Sequence, residues 1–140
     1  MIKDIVKDQK FLAVKSEPAT REDLPIAQDL TDTLKAHEDE CVGLAANMIG
    51  VSKAVIIIKI GLSSTVMFNP QIVAKQSPYE TEEGCLSLDE RHKTQRFLII
   101  DVEYTDLKWQ RKKKRFRGFT AQIIQHEIDH INLHFALEHA

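Results

Sequence analysis

Near its end the chain carries Gln125-His126-Glu127-Ile128-Asp129-His130, which reads as HExxH. Each helical residue turns the side chain by about 100°, so His126 and His130 project from one helix face, a turn apart. Two imidazoles so placed can hold two corners of a metal site, and Glu127 between them can take a proton from a water there. The same string also reads as a polar, solvated helix face. Its context favours a buried metal helix, because Gly118-Phe119-Thr120-Ala121-Gln122-Ile123-Ile124 opens on a helix breaker and then carries apolar residues at helical spacing.

Two histidines do not complete a catalytic site, which takes three protein ligands and leaves one position for water. The extended zinc-endopeptidase pattern needs glycine and histidine where this chain has Leu133 and Ala136. His134 lies one turn beyond His130, but three histidines along one helix cannot converge on one ion, and it reads as a helix-end surface residue. Upstream, Glu82-Glu83-Gly84-Cys85-Leu86-Ser87 is a bend-prone stretch around a cysteine. A thiolate is a strong ligand for zinc or ferrous iron. Cys85 also reads as a small buried hydrophobe.

These groups need elements to hold them. Thr20 to Asp23 looks like a helix start, with Thr20 as N-cap and Pro25 in the first turn. Ile26, Leu30, Leu34 and His37 recur at three to four residues, so about 22–38 reads as an amphipathic helix. Gly43 and Gly50 bracket a compact small-residue segment. Ala54 to Ile60 reads as a buried strand, followed by a turn at 61–64 and a short strand at Val66-Met67-Phe68 that Asn69-Pro70 stops. Gln71 to Lys75 suggests a third strand. Phe97 to Tyr104 is the best one, with Leu98, Ile100, Val102 and Tyr104 on one side. Lys108 to Phe116 returns as its hairpin partner, and the last helix runs over about 119–133. Residues 1–20 wrap the surface. Short strands flanked by two helices, without βαβ alternation, give an α+β fold with mainly antiparallel pairing, in one domain over 1–140.

Composition excludes little else. Of 140 residues, 43% are hydrophobic and 29% charged, and the net charge of −2 gives no global field toward nucleic acid or membrane. The longest apolar run, Ala54 to Leu62, is broken by Lys59 and is too short for a bilayer. The start of the chain has no apolar signal core, so a cytoplasmic protein is expected. In that compartment Cys41 and Cys85 are not expected to form a disulfide. The basic run Arg111 to Arg117 reads as a charged outer strand rather than a specific nucleic-acid site.

Three stretches resemble the peptide deformylase family. Glu83-Gly84-Cys85-Leu86-Ser87 is similar to its EGCLS motif, Gln125 to His130 to its QHExDH motif, and Gly43-Leu44-Ala45-Ala46, continuing to Ile49-Gly50, to the core of its GxGxAAxQxG motif. They stand in family order, and the resemblance covers nearly the whole chain. The resemblance implies a deformylase-like fold, with mainly antiparallel sheets around a C-terminal metal-binding helix. It implies removal of the formyl group from formyl-methionine of nascent bacterial chains at the ribosome. Cys85, His126 and His130 would bind one divalent metal, Fe²⁺ in the cell, with Zn²⁺ or Ni²⁺ as alternatives. Glu127 would be the general base, and the Leu86 N–H would donate to the developing oxyanion. Val42, Gly43 and Ile123 would line the methionine pocket. Glu83 would be a supporting carboxylate paired with Arg96.

Two departures bear on activity. Cys41 replaces the first glycine of the first motif, and Met48 replaces its glutamine. That glutamine supplies an N–H to the oxyanion in the family, and methionine has no donor. Losing one such donor costs about 100- to 1000-fold in rate. The resemblance therefore implies either a deformylase slowed at Met48 or a paralogue with little hydrolysis that binds formylated or N-terminal peptides. Asn47, next in sequence, is an alternative oxyanion donor. An endopeptidase is disfavoured by the missing downstream ligand.

Overall fold

The computed structural model describes residues 1–85 and 88–132, with all of their side chains except those of Gln9, Cys85, Leu88, Asp89, Glu90 and His92. The Leu30 and Leu34 stripe forms a helix, α2 (Pro25–Ala36), preceded by the short α1 (Gln9–Leu12). The helix expected from about residue 22 is divided. Arg21–Asp23 is a separate 3-10 turn, and the α-helix starts at Pro25, whose missing N–H is harmless in a first turn. The Thr20 side chain makes no cap bond. Instead the Thr20 N–H donates to the Asp23 carboxylate at 2.8 Å.

The strands are β1 (Gly43–Ala45), β2 (Val55–Ile60), β3 (Ser63–Cys85), β4 (Leu88–Thr105) and β5 (Arg111–Arg117). They form a single five-stranded sheet in chain order, every pairing antiparallel. The α+β class holds, with one sheet among the described residues where several were expected. Val55, Ile56, Ile57 and Ile58 are all fully buried, because α2 and the last helix both pack on β2. A strand covered on both faces needs an unbroken apolar run.

Asn69-Pro70 does not stop β3. The chain passes through a register shift between Phe68 and Gln71, with Asn69 at φ 51°. Asn tolerates that region, and a bulge absorbs a proline that cannot donate to the ladder. The Asn69 side chain pairs with both backbone groups of Ala19, at 2.8 and 2.9 Å. β3 and β4 then continue as one long hairpin to Cys85↔Leu88. Its outer half is polar, and no apolar alternation announces it. Leu98 is 45% exposed rather than packed with Ile100, Val102 and Tyr104. It lies one residue beyond the last β5 pairing, Ile99↔Arg117, and opposite Ser77, whose φ is 61°.

The last helix, α3 (Gly118–Ile131), begins on Gly118 at φ 60°. A side chain there would be strained, so glycine makes the corner between β5 and α3. α3 packs against β1, β2, β4 and β5. Five strands place β1 about 19 Å from β5 in a flat sheet, wider than a helix, so the sheet curls around α3. The N-terminal segment wraps this body but is not wholly superficial, since Leu12, Ser16 and Ala19 are buried. β5 is an edge strand with exposed side chains, and Arg115 and Lys112 pair with Asp101 and Asp106.

Candidate active site

The buried stretch of α3 carries Ile123, Ile124, Gln125, His126, Glu127, Ile128 and His130. His126 and His130 present Nε2 atoms 3.3 Å apart, their rings inclined by 65°. Two nitrogens each about 2.0–2.1 Å from one ion at a tetrahedral angle stand about 3.3–3.4 Å apart. The spacing therefore fits a shared metal. Ligand atoms of His126, Glu127 and His130 all lie within 4.8 Å of one another. Cys85 closes β3 at the tip of the long hairpin, but its side chain lies outside the described ones. Leu86, the expected oxyanion donor, lies outside the described residues, as do Leu133, His134 and Ala136.

The second ring nitrogen of His126 is held. Nδ1 lies 2.7 Å from Glu83 Oε1, and a carboxylate there requires Nδ1 to carry the proton, so that Nε2 is the nitrogen with a lone pair for a metal. Arg96 holds Glu83 in turn by a two-pronged bond, Nε to Oε2 at 2.9 Å and NH2 to Oε1 at 2.7 Å. The expected Glu83–Arg96 pair is present. Burial opposes the Glu83 charge, yet the bonds from His126 and Arg96 outweigh it and hold this carboxyl well below the usual range. Arg96 also reaches back to α3, NH1 to Asp129 Oδ2 at 2.6 Å. Gln122 donates to Glu83 Oε2 at 3.0 Å. Gln125 accepts from the Phe97 N–H at 2.9 Å and donates to its carbonyl at 2.8 Å, standing in for a strand just past the end of β5.

The sequence alone assigns no role to Asp129, Gln122 and Gln125. A spacing signal existed, since Gln122, His126 and Asp129 lie at i, i+4 and i+7 on one helix face.

Glu127 is 4% exposed, and its Oε1 has no hydrogen-bond partner among the described residues. Burial, reinforced by the charges of Glu83 and Asp129 and opposed by His126 and Arg96, pushes its carboxyl up to about 7. A carboxyl so placed exchanges protons near neutral pH. Gly43 of β1 packs against it. A Cβ on Gly43 would stand 2.8 Å from Ile123 Cγ2 and 3.0 Å from Glu127 Oε2. Gly43, Ile123 and Glu127 are thus brought together, while Val42 beside them is 37% exposed.

Met48 is buried in the core, its Sδ accepting the Ala45 N–H at 3.4 Å. Asn47 does not replace the missing donor, because its Nδ2 is turned to the His130 carbonyl at 2.5 Å.

A family model for polypeptide deformylase matches residues 2–140. The chain belongs to the polypeptide deformylase family. A peptide deformylase of Clostridium beijerinckii is 55% identical over 130 residues, covering 93% of this chain and 96% of that one. The crystal structure of a class I type b peptide deformylase from Acinetobacter baumannii with Met-Ala-Ser bound superposes with a TM-score of 0.85 at 30% identity, over 94% of this chain and 95% of that one. The Thermotoga maritima peptide deformylase superposes with a TM-score of 0.86 at 26% identity, over 99% and 97%. Polypeptide deformylases are metal-dependent hydrolases, and deformylation of nascent peptides is the family function; this chain is an enzyme of that class. Among the described residues of this deformylase, no helix is long and apolar enough to cross a membrane.

Proposed function

We propose that this chain, as one domain over 1–140, removes the formyl group from N-terminal formyl-methionine of nascent chains at the ribosome, in the cytoplasm. The carrying observation is the 3.3 Å separation of the His126 and His130 Nε2 atoms with buried Glu127 beside them, its Oε1 without a hydrogen-bond partner among the described residues. Cys85, His126 and His130 hold one divalent metal, Fe²⁺ in the cell, with Zn²⁺ or Ni²⁺ able to substitute. When bound, the metal polarises the formyl carbonyl and lowers the pKa of water. Glu127 takes the proton from the attacking water and passes it to the departing amine. The Leu86 N–H donates to the oxygen that gains charge. Val42, Gly43 and Ile123 seat the methionine side chain, and Glu83 keeps His126 in its ligating tautomer. Formate release from a formyl-Met-Ala-Ser peptide by protein loaded anaerobically with Fe²⁺ tests this reading.

A second reading rests on a specific observation. Met48 offers no N–H, and the Asn47 amide nitrogen is turned to His130. A slow or inactive paralogue that binds formylated or N-terminal peptides would bind the same peptide without releasing formate above the rate of a Glu127→Gln control.

A further inference from the structure

α3 ends at Ile131, so His130 stands in its last turn. The last four carbonyls of a helix have no partner within it, and such ends fray. A metal ligand there needs an outside hold. Two groups from distant parts of the chain supply it. The Asn47 side chain donates to the His130 carbonyl at 2.5 Å across 83 residues of sequence, and the Ser16 N–H donates to the Ile131 carbonyl at 3.1 Å. Asn47 is fully buried in a 3-10 turn (Ala46–Ile49) that follows β1 directly. Its other amide atom, Oδ1, is buried with no hydrogen-bond partner among the described residues. Leaving that acceptor unpaired weakens the fold, so packing alone does not account for an asparagine here. The amide does its work through Nδ2.

We propose that Asn47 is a positioning residue for the metal site: it caps the C-terminal turn of α3 and fixes the backbone that carries His130. Asn47, two residues beyond β1, thereby reports directly to one metal ligand, while Gly43 within β1 packs on Glu127. Through these two contacts a single short segment sets both the base and a histidine. The proposal rests on the reading of His130 as a ligand.

The test loads wild type, Asn47→Ala and Leu34→Ala with Zn²⁺ and follows its release to a chromogenic chelator, alongside melting of each. Leu34 is a buried α2 residue with no assigned role at the site, so Leu34→Ala supplies a general loss of core stability for comparison. Outer-shell partners of metal ligands are worth about 10- to 100-fold in metal affinity. Asn47→Ala should release Zn²⁺ faster by about that factor, and Leu34→Ala should release it near the wild-type rate. Release from Asn47→Ala at the wild-type rate, or equally fast release from Leu34→Ala, overturns the proposal. Hydrogen exchange on the wild-type protein does not depend on a variant folding. The His130 and Ile131 amides should be protected like that of Ile124 in mid-helix, and exchange typical of a frayed end overturns the cap. His130→Ala separates the two readings: stoichiometric Zn²⁺ with wild-type affinity in that variant removes His130 as a ligand, whereas lost affinity there with unchanged release from Asn47→Ala removes only the cap.

Discussion

Arg96 stands between Glu83 and Asp129, 2.7 Å from one carboxylate and 2.6 Å from the other, and so ties the hairpin that ends in Cys85 to the helix that carries both histidines. All three side chains are buried or nearly so. Removing the cation leaves two buried carboxylates in mutual repulsion. Arg96→Met is expected to destabilise the fold by about 3–5 kcal/mol, the range for a broken buried ion pair. Arg96→Lys should recover part of this, because an ammonium keeps the charge but not the two-pronged geometry. Urea titrations of the three proteins check the order wild type, Lys, Met.

Glu127→Gln should keep the metal and the fold and lose formate release by about 100- to 10,000-fold, the usual worth of a general base. Its melting temperature should match or exceed that of wild type, because a carboxylate whose charge is disfavoured by burial becomes a neutral amide. Activity near wild type, with metal retained, would take the base assignment away from Glu127.

Gly43→Ala puts a methyl group 2.8 Å from Ile123 and 3.0 Å from the Glu127 carboxylate. Something must shift, and overpacking of this kind costs about 1–3 kcal/mol. The expected signature is a fall in kcat of more than about 10-fold, the scale of a misplaced catalytic group, with metal content unchanged. A loss confined to KM would mean that Ile123 yields and Glu127 does not.

Met48→Gln should raise kcat/KM on formyl-Met peptides by about 10- to 1000-fold, acting mainly on kcat, since an oxyanion bond forms in the transition state. Burying the amide should lower stability by about 1–3 kcal/mol. An unchanged rate with an unchanged melting temperature would show that another group already serves the oxyanion.

Asp101 on β4 is held below its ordinary value of 3.8, first by its hydrogen bond from Arg115 on β5. A depressed carboxylate contributes stability above its unfolded pKa and loses that contribution as pH falls through the folded one. Asp101→Asn should therefore be less stable than wild type at pH 7, and the gap should narrow as pH falls below about 3.8. Denaturant midpoints at pH 7 and pH 3 measure it. A gap as wide at pH 3 as at pH 7 would assign the effect to packing.

Much of the site is a property of local sequence. The helical period alone puts His126 and His130 on one face, and Gly118 followed by apolar spacing marks where that helix begins. The β-branched run of β2 and the basic strand β5 were legible for the same reason, since both express a local pattern. What local pattern cannot carry is which distant backbone a polar side chain will meet. The continuity of β3 through Asn69-Pro70 depends on Ala19, some 50 residues away, accepting the asparagine amide. The exposure of Leu98 depends on where β5 stops. The Glu83–His126 and Asn47–His130 bonds span 43 and 83 residues and exist only because the sheet curls around α3. Local sequence places two histidines and a glutamate on one buried helix; the folded chain selects which distant side chains orient them, because hydrogen bonds across that distance have no period to read.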